Sequence, residues 1–370
     1  MGGSVFGNNI KVMTFGESHG TAVGAVVDGI PAGLSLCEED IQKLLDRRRP
    51  GQNDLSTQRN ESDSVEILSG VFEGRTLGTP IAMMVRNNDA HSGDYDSLKE
   101  IYRPGHADFP FQEKYHIRDH RGGGRSSGRE TIGRVMAGAV CEKVLLSAGI
   151  SVSAYTRSIG PVKAEKTELS EVFENPLFMP DIEASEKAAA YVREMKEKGD
   201  SVGGVVECRI DGLFPGIGET VFDKLDAVLS KAVMSIGAVK GFEIGEGFFA
   251  PLLSGSENND AFFAGDDKRI QKRTNHSGGT LGGMSDGSPL IFRAAIKPTP
   301  SISLAQETVN KNGENTLISI KGRHDPVIVP RAVVVVESMA AISVLDLLIS
   351  DMSSRMDHIS SFSEKRKNEL

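Results

Sequence analysis

The sequence predicts an α+β protein built on antiparallel sheets. Three observations carry that reading. Strand-like runs come in adjacent pairs, Lys11–Phe15 with Val23–Asp28 and Val65–Val71 with Pro80–Val85, and do not alternate strictly with helices. No GxGxxG opens a helix after a first strand, and no GxxxxGK[ST] occurs, so neither a dinucleotide fold nor a P-loop is the starting point. Apolar stripes beginning near Glu130 and at Pro330 supply long helices for a sizeable core. At 370 residues the chain has room for one large domain or two ordinary ones. It has no internal repeat and no clear linker, so it reads as a single domain over 1–370, with about 353–370 a polar, mobile tail.

The elements follow in order. Lys11–Phe15 and Val23–Asp28 flank the polar turn Gly16-Glu-Ser-His-Gly20. Ser35-Leu-Cys-Glu38 fits a capping box, and Ile41, Leu44 and Leu45 have helical spacing. That helix stops at Arg47-Arg48-Arg49-Pro50-Gly51. The strands Val65–Val71 and Pro80–Val85 are joined through the turn Glu73-Gly74-Arg75. From Asn87 to Gly128 periodicity is lost while Gly, Arg, His and Asp accumulate, and such a stretch inside a compact domain usually carries function. Ile132, Val135, Met136, Ala139, Val140, Val144 and Leu145 then form a helical stripe capped by Gly149. Further helices are expected at Glu186–Lys198 and Phe222–Ile236, and strands at Val202–Leu213, Leu290–Lys297 and Leu317–Lys321. A long apolar helix runs from Pro330 to about Met352.

Composition narrows the function. Glycine is the outlier, 41 of 370, and its lack of a three-residue period excludes collagen and leaves turns and close backbone approaches. The formal net charge of −9 disfavours a bulk electrostatic nucleic-acid binder. Yet 12 of the 22 arginines lie in the first 134 residues, which points to a locally bound anion. Cys37, Cys141 and Cys208 form no CxxC, so reduced thiols and a reducing compartment are expected. No Cys/His cluster has zinc spacing, and no metal is expected. The N-terminus lacks a signal-peptide pattern, and no apolar run is read as reaching the length of a membrane span. A cytoplasmic protein follows.

Six segments can carry chemistry. His19, between small residues in a tight turn, suits general-acid work, though a turn histidine bonded locally fits equally. In Arg103-Pro-Gly-His-Ala-Asp108, the nearby carboxylate could raise the pKa of His106, though an ordinary loop histidine fits at least as well. His120-Arg-Gly-Gly-Gly-Arg-Ser-Ser-Gly-Arg-Glu-Thr131 combines free backbone N–H groups, two hydroxyls and three guanidiniums before a helix N-terminus, a phosphate-binding pattern. Read alone it also fits an RGG-like loop that binds RNA. Arg47, Arg48 and Arg49 suit a helix C-terminus, and three in a row leave room for a second anion contact. Gly322-Arg-His-Asp-Pro326 places Asp325 as a base or as an Asx-turn carboxylate. Gly278–Gly283 and Lys297-Pro-Thr-Pro-Ser301 could wall a planar ligand or be plain loop punctuation.

GESHG, GRSSGRET and GRHDP, in that order, resemble the three signature segments of the chorismate synthase family. RRRPGQ, RPGHAD, SIGAVKG, NHSGGTLGG and KPTPSI also match, and the likeness runs from Phe15 to about Leu348. The resemblance implies a lyase that turns 5-enolpyruvylshikimate 3-phosphate into chorismate by anti 1,4-elimination of phosphate. It requires reduced FMN without net redox change. By motif position, His19 would protonate the departing phosphate and also contact substrate. His106 would sit against the flavin, and Asp325 would assist proton removal. Ser18 and Ser127 would support proton relay. Arg125, Ser126, Ser127, Gly237, Ala238, Gly282, Lys297, Pro298, Thr299, Pro300, Ser301 and Arg323 match flavin-contacting positions. Arg48, Arg49 and Arg129 would hold substrate anions. The resemblance also implies helices sandwiched between antiparallel sheets, a homotetramer and neither nucleic-acid nor membrane partners. Asp54 and Asn60 stand where the family often has basic residues, which disfavours bound NADPH. NADPH then enters only as the reductant of flavin, with reduced flavin supplied from elsewhere, for example by a separate flavin reductase. A net-redox flavoprotein consuming NADPH is the competing enzyme reading.

Overall fold

The computed structural model describes residues 3–51, 55, 62–87, 99–266, 268–320 and 325–369. In the first sheet, alternation sets the faces: Val12 and Thr14 point inward from a strand whose Lys11, Met13 and Phe15 point out. The sheet comprises β1 (Val5–Phe6), β2 (Lys11–Phe15), β3 (Ala22–Asp28), β4 (Val65–Ile67) and β5 (Ile81–Arg86). Its order is β1-β2-β3-β5-β4, and every pairing is antiparallel. The second sheet comprises β6 (Ser151–Ile159), β7 (Val162–Lys163), β8 (Gly204–Asp211), β9 (Val239–Ile244) and β10 (Leu290–Ile296). Its order is β9-β10-β8-β6-β7, also antiparallel throughout.

The longer helices are α1 (Glu38–Arg48), α2 (Asp108–Tyr115), α3 (Thr131–Ser147), α4 (Ile182–Glu197), α5 (Leu225–Met234), α6 (Val329–Asp351) and α7 (Met356–Asn368). Helix α3 rests on β3 and β2 of the first sheet, while α6 rests on β6 and β8 of the second. The two helices pack on each other, flanked by α1 and α5, so helices form the middle of a sandwich between antiparallel sheets, as expected. One cluster of buried apolar residues runs from Ile10 to Leu347. The helices meet closely because Gly138 of α3 has no side chain: a Cβ there would lie 2.2 Å from Cβ of Ser338 on α6.

Helix α6 corrects one expectation. It is 23 residues long, with a window of mean hydropathy 2.2, and so is long and apolar enough to cross a membrane. Here it is a core helix, buried almost continuously from Val329 to Leu347. Its two buried acids are fully engaged. Glu337 accepts from Arg47 at 2.5 and 2.9 Å and from the N–H of Ala154 at 3.0 Å. Asp346 accepts the N–H groups of Asn8, Asn9 and Ile10 at 2.6–3.1 Å.

Other differences are local. The capping box of α1 joins Cys37 to Asp40, two residues later than Ser35-Leu-Cys-Glu38. Glu73-Gly74 does form a turn, with φ of 48° and 72°, but it closes the small hairpin of Val71–Phe72 and Arg75–Thr76. Val65–Ile67 and Ile81–Arg86 pair beyond it. The 353–370 segment is helical over α7, with no residue buried and its last-turn cations Lys365, Arg366 and Lys367 suiting the helix dipole. All three cysteines are free thiols, Cys141 and Cys208 within the core.

Candidate functional site

A cavity of about 1110 Å³ opens where the loops of both halves converge. Of the residues singled out from sequence, it gathers Ser18, His19, Arg48, His106, Arg125, Ser126, Ser127 and Arg129. Gly237, Ala238, Lys297, Thr299, Pro300, Ser301 and Asp325 also line it. Arg49 is the C-cap of α1, half exposed and 3.8 Å from Asp46, and does not line the cavity. Gly282, in the turn between Thr280–Leu281 and Met284–Ser285, and Pro298, between two lining neighbours, are not among the residues that line the cavity. Arg323, Asp54 and Asn60 lie outside the described residues.

The His19 corner is built by the turn between β2 and β3. The N–H of Gly20 donates to Glu17 O at 3.0 Å, and Asn87 Nδ2 donates to Glu17 O and Gly20 O at 3.0 and 2.8 Å. Ser18 Oγ lies 3.1 Å from His19 Nδ1. Gly122 passes directly over the imidazole, where a Cβ would sit 2.4 Å from Nδ1. That close approach is why this stretch of the loop needs glycine.

The segment from Gly122 to Thr131 is not a solvated RGG loop. It folds into two short 3-10 turns that lead into α3. Arg125 reaches back to Thr14 Oγ1 and Thr14 O on β2 at 2.7 and 3.1 Å, and to Gly16 O at 3.2 Å. Ser126 Oγ donates to Gly123 O at 2.7 Å, and Ser127 Oγ accepts the N–H of Arg129 at 3.3 Å. Arg129 is buried, with Nη1 on Asp63 Oδ1 at 2.9 Å and Nε on Asn87 Oδ1 at 2.5 Å. Arg48 is also buried and gives Nη1 to the other oxygen of Asp63 at 2.9 Å. Its Nη2 donates to Gly128 O at 2.8 Å and its Nε to Thr131 Oγ1 at 3.2 Å. Burial and the neighbouring Arg331 bring Arg48 down to about 10, so it stays charged at neutral pH.

The opposite wall holds His106. Its Nδ1–H donates to Pro104 O at 3.0 Å, which leaves Nε2 to accept the Ser301 hydroxyl at 2.9 Å in the neutral ring. Asp108 does pull the pKa of His106 upward, as expected, but that pull is outweighed. Asp108 is locked bidentately by Arg103 at 2.7 Å and faces Arg118 at 3.2 Å. Burial and the Arg103 charge therefore win, and His106 falls to about 4. Gly105, at φ 70°, packs where a Cβ would lie 2.7 Å from Pro300. Lys297 Nζ donates to Gly105 O at 2.8 Å, and burial then Lys240 hold its pKa below the usual lysine value. Ala238 is held at φ 73°, a left-handed backbone that a non-glycine residue adopts only under constraint, and its carbonyl accepts the N–H of Lys297 at 2.9 Å. The third wall is the start of α6: Asp325 Oδ2 accepts Arg331 Nη1 at 2.5 Å, and Arg331 Nε donates to Arg48 O at 3.0 Å.

Asp63, Asn87 and Arg331 are therefore site-building residues that the sequence reading missed. No local pattern marks them, because their partners lie on other elements. Among the described residues no three His, Cys, Asp or Glu side chains are grouped to hold a metal ion.

These features match known proteins along nearly the whole chain. The family model described as chorismate synthase matches residues 10–349. A chorismate synthase of Agathobacter rectalis is 61% identical over 367 residues, covering 99% of this chain and 100% of that protein. A chorismate synthase of Methanococcoides burtonii is 54% identical over 354 residues, 94% of this chain and 96% of its own. A crystal structure of chorismate synthase superposes with a TM-score of 0.77 at 34% identity, over 98% of this chain and 99% of that one. The chain belongs to the chorismate synthase family. It is an enzyme of the lyase type that this family comprises.

Proposed function

We propose that the protein converts 5-enolpyruvylshikimate 3-phosphate to chorismate by anti 1,4-elimination of phosphate, with reduced FMN in the same cavity and no net redox change. The observation that carries this reading is one cavity lined by the Ser18–His19 pair, the buried Arg48 and Arg129, and the Lys297–Ser301 wall.

The residues present fit a flavin. Thr299 Oγ1 is buried in this wall without a hydrogen-bond partner among the described residues, as expected of a donor kept for a ligand. Lys297 and Arg125 add cationic donors suited to a phosphate-bearing cofactor. When bound, reduced FMN would lend electron density to the substrate and take up the ring proton. The side chains do the rest. Arg48 and Arg129 hold the substrate's anionic groups, His19 gives a proton to the departing phosphate, and Ser18 orients its ring. His106 stays neutral, so it offers a hydrogen bond without adding a charge beside the cofactor. Asp325, held by Arg331, assists proton removal, and Ser127 supports relay. This reading brings with it a single domain over 1–370, a homotetramer, a cytoplasmic location and flavin reduced by a separate reductase or by NADPH.

Anaerobic conversion of 5-enolpyruvylshikimate 3-phosphate by the purified chain tests it. Chorismate is expected only when reduced FMN is added. Absence of product with folded protein and reduced FMN overturns the reading, and stoichiometric NADPH consumption per turnover favours the net-redox alternative.

A further inference from the structure

Two guanidiniums that are distant in sequence reach the cavity together. Arg48 comes from the last turn of α1, and Arg129 from the turn before α3. Between them lies a single carboxylate. The Asp63 side chain has no exposed surface, and each of its oxygens accepts one guanidinium at 2.9 Å, Oδ2 from Arg48 and Oδ1 from Arg129. Its backbone sits at φ 44°, in the left-handed region, which aims the side chain between the two cations. From Arg129 the contacts continue: Nε meets Asn87 Oδ1 at 2.5 Å, and Asn87 Nδ2 ties off the His19 turn at Glu17 O and Gly20 O. An unbroken series of polar contacts thus joins Arg48, Asp63, Arg129, Asn87 and the turn that carries His19.

We propose that Asp63 is the positioning residue of the anion site: it sets the spacing of Arg48 and Arg129 and, through Asn87, their distance from His19. Two like charges close together repel, and a shared carboxylate removes that repulsion while leaving the cluster net positive toward the cavity. A carboxylate accepting one bond from each partner also fixes orientation, which a diffuse negative potential would not. The proposal rests on the reading of Arg48 and Arg129 as substrate-anion holders.

The test is the full-length Asp63→Asn variant, which keeps size and tolerates the left-handed backbone. Three constants are read: KM for the phosphorylated substrate with reduced FMN saturating, the inhibition constant of inorganic phosphate, and the dissociation constant of FMN. KM and the phosphate constant are expected to rise by at least about tenfold, with FMN binding unchanged. In an Arg129→Ala background the same substitution adds less than its full factor, because the two act through one contact. Should the Asn variant be unstable, Asp63→Gly relieves the backbone and removes the carboxylate, and is expected to give the same two rises. A wild-type KM and phosphate constant in a folded variant overturn the proposal, as does a parallel loss of FMN binding, which marks a merely structural role. Arg48→Ala and Arg129→Ala separate the two layers. If neither changes the phosphate constant, the anion reading itself fails; if both do while Asp63→Asn is silent, only Asp63 is misassigned.

Discussion

His19 and His106 face one cavity from different surroundings. His19 stands at a turn with the Ser18 hydroxyl 3.1 Å from its Nδ1. His106 is sunk between Pro104 O and Ser301 beside Arg103, and is held neutral. His19→Ala and Asp325→Ala are each expected to lower turnover by roughly 10²–10⁴-fold, the usual range for a general acid or base. Near-wild-type kcat in either variant would remove its assigned role. At this scale the sequence was informative where chemistry and backbone coincide. GESHG, GGGRSSG and KPTPS were legible because glycine, proline and hydroxyl residues mark both a turn and a ligand approach. Asp63 was not, since its two arginines lie 15 and 66 residues away and only the fold brings them together. The low pKa of His106 is not legible in its motif, which shows both Arg103 and Asp108 but neither the burial of the ring nor the bidentate pairing of those two neighbours.

Helix α3 shows how an element can be legible while one of its charges is not. Its apolar stripe and the glycine after it were plain in the sequence, and Gly149 does take the left-handed backbone, at φ 76°. Glu142 on the same helix is pushed up to about 7 by burial and by Glu337, against the pull of Arg47. The ordinary value is 4.5, so between about 4.5 and 7 the folded chain keeps a proton that the unfolded chain has released. Stability from this group therefore falls as pH rises through that window. Glu142→Gln should flatten that slope, read as urea midpoints near about pH 5 and about pH 7.5 in both proteins. An identical slope in the variant would exclude Glu142 as its source. Strand β6 was missed because Ser151-Val-Ser-Ala-Tyr-Thr gives weak contrast between faces, and it is the neighbour β8 that makes it a strand. The sequence of α7 gives a polar tail and no helix because nothing in it resembles a buried stripe, and indeed no part of it is buried.

At the scale of the molecule, the two sheets are joined through helices that touch at Gly138 and Ser338, and the cavity walls come from both sides of that seam. A methyl group has no space there. Gly138→Ala is expected to cost about 1–3 kcal/mol by overpacking, seen as a lower denaturant midpoint with an unchanged m-value. Full stability would mean that the seam yields more easily than the contact indicates. The order in which the chain is laid down gives Asp346 a further meaning. Its carboxylate collects the N–H groups of Asn8, Asn9 and Ile10, residues separated from it by more than 330 positions. A growing polypeptide has its first sheet and α3 long before α6 exists to cover α3. The N–H groups of Asn8, Asn9 and Ile10 wait for α6 before they are satisfied, and until α6 is made the apolar face of α3 that it covers is open to other chains.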